Sequence, residues 1–89
     1  MSHRYYVEVF SYGKIEHFMK KRIELTYVRD RLQSRMNYRN PDIAFNVLLY
    51  GWCKKRHHNK NWLSNMKRRG WMTLDMARDF ANYCGYMFI

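Results

Sequence analysis

The stretch from Asn59 to Arg69 reads NKNWLSNMKRR and concentrates side chains that can address a nucleic acid. Lysine and arginine donate to phosphates and to guanine, and an asparagine amide both donates and accepts, as an adenine edge requires. At helical spacing Leu63 and Met66 take the inner side, while Lys60, Asn61, Ser64, Asn65 and Arg68 fall mostly outward. A short helix with an apolar seam and a basic, amide-rich face is what entry into a DNA major groove calls for. A solvated polar face is the competing explanation of the same pattern.

The charge around this stretch favours a polyanionic partner. Seventeen Lys and Arg against seven Asp and Glu give a formal net charge of +10. No acidic residue occurs between Asp42 and Asp75, whereas Lys54, Lys55, Arg56, Lys60, Lys67, Arg68 and Arg69 all fall there. A one-signed block inside a foldable segment repels itself unless something negative neutralises it.

Other chemistries find less support. No apolar run approaches the ~20 residues that span a bilayer, and the first residues carry no apolar core of a secretion signal. Cys53 and Cys84 lie in helical patterns, where free cysteines behave as small buried hydrophobes, and a cytoplasmic setting is expected. Cys53, His57, His58 and Cys84 could supply four metal ligands, but zinc sites pair their ligands at tight spacing in both halves. Two core cysteines and two basic-face histidines are the simpler reading, so neither a metal nor another cofactor is expected. The seven carboxylates are scattered and no nucleophile–base spacing or phosphate loop occurs, so no catalytic residue is assigned. Trp52 is expected in the core. Trp62 and Trp71 flank the basic helix, where packing between helices is the commoner role and stacking on bases the alternative.

The elements that would position the basic face can be read in turn, within one small, mainly α domain of about four helices. Residues 4–12, RYYVEVFSY, alternate as a strand that needs a partner, either Tyr86–Ile89 or a second copy of the chain. From Lys14 to about Met36, Phe18, Leu25, Val28, Leu32 and Met36 recur at helical spacing, predicting one long helix, with Thr26, Tyr27 and Val28 equally suited to a strand. Asn40-Pro41-Asp42 is a helix start: a capping amide, a proline at the first position and a carboxylate at the positive end. The helix to about Arg56 is apolar nearly all round from Ile43 to Trp52 and is expected to be buried. Gly51 within it costs intrinsic helix stability and would permit a close neighbour. Asn59 can cap the next helix, Thr73 the last, and Leu74, Ala77, Ala81 and Cys84 form an inner stripe that Gly85 ends.

The second half, NWLSNMKRRG followed by MTLDMARDFANYCGY, resembles the third and fourth helices of the Cro/C1-type (lambda-repressor-like) helix-turn-helix domain. Leu63-Ser64 matches an aliphatic-Ser pair in the recognition helix, Met66 the next core position and Gly70 the turn. Thr73-Leu74, Ala77, Ala81 and Gly85 match the following helix. Upstream, Arg56 and His57 stand where that family carries an aliphatic residue and a glycine. The resemblance implies that Lys60, Asn61 and Asn65 read bases. Lys54, Lys55, Arg56, Lys67, Arg68 and Arg69 would hold phosphates, and Ser64 could do either.

The expected activity is therefore sequence-specific recognition of duplex DNA by a transcriptional regulator of phage or mobile-element type, acting as a homodimer in a bacterial cytoplasm. Two alternatives use the same charges. One is a small inhibitor that blocks a host nucleic-acid enzyme by binding an acidic protein surface, as anti-CRISPR and anti-restriction proteins do. The other is a single-strand or RNA-binding module using Trp62, Trp71 and the N-terminal tyrosines.

Overall fold

The computed structural model describes residues 20–88. The alternating segment 4–12 and its pairing lie outside them, as does the helix expected over 14–19. The described residues form β1 (Arg22–Glu24), α1 (Leu25–Met36), α2 (Pro41–Lys55), α3 (Lys60–Arg69), β2 (Trp71–Thr73) and α4 (Leu74–Cys84). Over the described residues the domain is mainly helical, with four helices and a short two-stranded ribbon.

Most helix boundaries follow local chemistry. Asn40 caps α2 by accepting from the Ile43 N–H at 3.4 Å, with Pro41 at the first helical position. Asn59 caps α3 by accepting from the Trp62 N–H at 2.8 Å, and Gly70 ends that helix at φ 84. Gly85 closes α4 at φ 97. Thr73 occupies the cap position of α4 but caps no amide there; its hydroxyl donates instead to the Asp75 carboxylate.

The long helix predicted from Lys14 corrects to a strand and a shorter helix: residues 22–24 are extended, and α1 begins at Leu25. The cause is non-local. β1 pairs antiparallel with β2, in the register Arg22↔Thr73, Ile23↔Met72 and Glu24↔Trp71. Leu25 N–H to Gly70 O at 2.9 Å and Leu74 N–H to Lys21 O at 2.8 Å extend the ladder at both ends. The ribbon therefore ties the starts of α1 and α4 to the end of α3.

Ile23 and Met72 face inward from the ribbon and join a core of Val28, Leu32, Phe45, Leu49, Trp52, Met66, Ala77, Phe80 and Ala81. Trp52 and Phe45 each meet Phe80 edge-on, at centroid distances of 5.6 and 5.7 Å. Such offset ring pairs add to the burial of the rings themselves. Gly51 packs against the Tyr83 hydroxyl of α4, the close approach its lack of a side chain permits. The expectation that α2 is buried all round is corrected. Phe45, Leu49, Trp52 and Cys53 are buried, but Ile43, Val47 and Tyr50 are 60%, 63% and 49% exposed. These three lie opposite the core stripe, where no described element covers the helix.

Candidate nucleic-acid interface

Helix α3 divides by face as its spacing predicts. Leu63 and Met66 are buried at 8% and 0% exposure, and Lys60, Asn61, Ser64, Asn65, Lys67, Arg68 and Arg69 are all exposed. Asn61, Ser64, Asn65 and Arg68, at i, i+3, i+4 and i+7, form one ridge directly away from the core. Lys60 and Lys67 form the flank toward α2. There Lys60 borders a depression with Tyr50, Lys54 and His58, and Lys67 borders another with Phe45, Asn46 and Leu49. Arg69 takes the opposite flank, toward the ribbon.

The predicted site residues are thus only partly together. Asn61 and Asn65 share the ridge, whereas Lys60 stands on the α2 flank near Lys54. Asn65 is already oriented, because its Oδ1 accepts from Arg68 Nη1 at 2.9 Å. That bond points the amide nitrogen of Asn65, a donor only, away from Arg68. Within α3 there is no acidic residue to compete with a phosphate or a base acceptor.

The basic end of α2 turns elsewhere. Arg56 makes a two-pronged ion pair with Asp79 of α4, Nε to Oδ2 at 2.7 Å and Nη2 to Oδ1 at 2.5 Å. Trp52 Nε1 donates to the same Oδ2 at 2.9 Å. The Arg56 guanidinium, with help from the Trp52 N–H, holds the Asp79 carboxyl below its ordinary range despite partial burial. Lys55 Nζ lies 5.8 Å from the centre of the Tyr83 ring. Arg56 and Lys55 thereby fasten α2 to α4, and of the three basic residues ending α2 only Lys54 sits beside the α3 flank.

Trp62, in the first turn of α3, and Trp71, just beyond its end, are both half-buried. Trp62 stacks on His58 at 3.7 Å with an 8° interplanar angle, and lies 6.0 Å from Trp52. It braces the start of α3. Trp71 carries the guanidinium of Arg22 at 4.3 Å and that of Arg69 at 4.2 Å from its ring centre. Arg69 Nε also donates to the Trp71 carbonyl at 3.0 Å. Sequence reasoning missed Arg22 in this group, because only the strand register brings it beside Trp71.

Cys53 and Cys84 are free thiols; Cys53 donates to the His58 carbonyl at 3.5 Å, and burial pushes the Cys84 thiol up to about 12. Among the described residues no three His, Cys, Asp or Glu side chains are grouped to hold a metal ion. No described helix is long and apolar enough to cross a membrane. No protein-family model matches the chain, and no curated protein or solved structure shows significant similarity to it.

Proposed function

We propose that the chain binds duplex DNA as a sequence-reading regulator, with α3 entering the major groove. The observation that carries this reading is the outward ridge of Asn61, Ser64, Asn65 and Arg68 above a buried Leu63–Met66 seam, with no carboxylate on the helix. Asn61 and Asn65 would read base edges, and Lys60 would reach a guanine or a phosphate from the α2 flank. Lys54, Lys67, Arg68 and Arg69 would set register on the backbone. Arg56 would contribute by holding α2 against α4, since Asp79 occupies its guanidinium.

The likeness to the Cro/C1-type domain adds support at one further point. His57 adopts φ 63, the left-handed conformation that favours glycine, at the position where that family carries one. A two-fold pair of copies would double the contacts of one short reading helix. The exposed Ile43–Val47–Tyr50 stripe of α2 suits that pairing.

Selection of bound sequences from a random duplex pool tests the reading. Recovery of a palindromic site supports it, and gel shifts at two salt concentrations separate duplex from single-stranded DNA and RNA. Equal binding to all three would leave only unspecific charge. Absence of any nucleic-acid binding would favour an acidic protein surface as the partner. Sedimentation of Val47→Glu against wild type tests the pairing: a wild type that is already monomeric at assay concentrations removes it.

A further inference from the structure

We propose that Arg22, Trp71 and Arg69 form a second phosphodiester site on the outer face of the β ribbon, gripping the DNA strand that borders the groove entered by α3. The inference rests on the reading of α3 as the groove-inserted helix, and it adds an element that lies outside any helix.

The argument begins with strand register. Ile23 and Met72 are a cross-strand pair turned into the core, so the alternation of a strand puts Arg22, Glu24, Trp71 and Thr73 on the opposite face. Arg22 pairs with Thr73, which makes Trp71 its diagonal neighbour, within reach of a long side chain. The same ring is met from the end of α3 by Arg69, whose Nε is held by the Trp71 carbonyl. One indole therefore gathers two guanidiniums, no further apart than the sum of their distances to its centre.

Two like charges gathered this way repel each other, and the ring offsets that only in part. Neither arginine has a carboxylate within ion-pair distance among the described residues, although Glu24 stands directly across from Trp71. Among the described residues both guanidiniums keep N–H groups without a hydrogen-bond acceptor. Planar forks of this kind match carboxylate and phosphate oxygens with two parallel hydrogen bonds, and beside a groove-inserted α3 the anion within reach is a phosphate. A base would have to displace an arginine from the ring before stacking there, so the backbone is the favoured ligand.

Placement fits as well. Helix α3 has ten residues, which makes it ~15 Å long. The major groove is about 12 Å wide, so when the amino end of α3 lies between the strands its carboxyl end reaches one of them. That end carries the partial negative charge of the helix dipole. Lys67, Arg68 and Arg69 in its last turn, with Arg22 from the ribbon, reverse the sign there.

Binding of the full chain to a duplex of random sequence, followed by anisotropy over a salt series, tests the site. Arg22→Ala and Arg69→Ala should each lower the slope of log affinity against log salt by about one, and the double variant by about two. Arg22→Lys should keep the slope, and melting curves like that of wild type should accompany all four variants. An unchanged slope in Arg22→Ala with its fold intact overturns the proposal. If Asn61→Ala and Asn65→Ala leave sequence preference untouched while the arginine slopes fall, the ribbon site stands and base reading by α3 fails. If wild type binds no duplex at all, both fall together.

Discussion

Leu63→Ala is the sharpest test of how α3 is oriented. The Leu63 side chain is 8% exposed and anchors the helix beside Met66, which is fully buried. Replacing a buried leucine with alanine costs about 2–5 kcal/mol, depending on how far the surroundings collapse into the hole. Leu63 borders an open depression lined also by Tyr50, Cys53, Lys54 and Lys60, so water and the long lysine stems can fill part of the space. That places the loss near the lower end, at about 2–3 kcal/mol. For a domain of this size each kcal/mol moves the melting temperature by about 4–8 °C. The expected drop is therefore roughly 10–20 °C, read by near-ultraviolet circular dichroism or calorimetry. Asn61→Ala on the opposite face is the control: an exposed polar change should stay within about 0.5 kcal/mol of wild type. A Leu63→Ala protein that melts with wild type, or an Asn61→Ala protein that melts far below it, would mean that the faces of α3 are reversed. No base-reading role for Asn61 and Asn65 would survive that result.

Four further outcomes are expected. Asn61→Ala and Asn65→Ala should flatten the preference among duplex sequences more than they weaken total binding, as read by competition gel shifts; a uniform loss over all sequences would count against base reading. Arg68→Ala should lower the salt slope by about one and also loosen preference at the Asn65 contact, because it frees the Asn65 amide to rotate. Gly51→Ala gains about 0.8–1 kcal/mol of intrinsic helix propensity but drives a methyl into the Tyr83 hydroxyl. It should lower the melting temperature alone and raise it when added to Tyr83→Phe. The Asp79 carboxyl titrates below its ordinary 3.8 because Arg56 and Trp52 donate to it. The folded state therefore binds this proton less readily than the unfolded chain, and the contribution is complete above 3.8 and disappears as pH falls through the lower folded value. Asp79→Asn should lose that segment of the acid-unfolding curve, and a curve parallel to wild type below pH 4 would exclude the linkage.

Which features were legible follows from how local their causes are. Asn40-Pro41, Asn59, Gly70 and Gly85 act on the backbone within a few residues, and each helix end stands where those residues put it. The two faces of α3 were legible because helical spacing alone separates Leu63 and Met66 from Asn61 and Asn65. The ribbon was not. Arg22-Ile23-Glu24 and Trp71-Met72-Thr73 are three residues each, too short to break a helical pattern, and their hydrogen bonds exist only once the two distant segments meet. The Arg56–Asp79 pair has the same character, since a basic run gives no sign that one member is spoken for by a carboxylate on α4. The exposure of Ile43, Val47 and Tyr50 was hidden for another reason: an all-round apolar helix says that burial is favourable, not how many neighbours arrive to provide it.

These non-local contacts matter because α3 is too short to hold itself. Isolated helices below about 12–15 residues are marginal in water, and a reading surface is useful only if its side chains keep one geometry. The fold clamps α3 at three places. His58 stacks on Trp62 at its start, Leu63 and Met66 anchor its middle, and Gly70 O accepts from Leu25 N at its end. The last of these joins α3 to the ribbon, where Arg69 and Trp71 lock the following residues. The strands thus set the angle at which the asparagine ridge leaves the domain. Breaking the ribbon ladder should therefore blur sequence preference even though base reading is assigned to none of its residues: a proline at Leu25, the first position of α1, removes the N–H that Gly70 O accepts and would loosen the end of α3 while leaving Asn61 and Asn65 in place chemically. Sharp preference retained in Leu25→Pro would show that the core seam alone suffices to aim the helix.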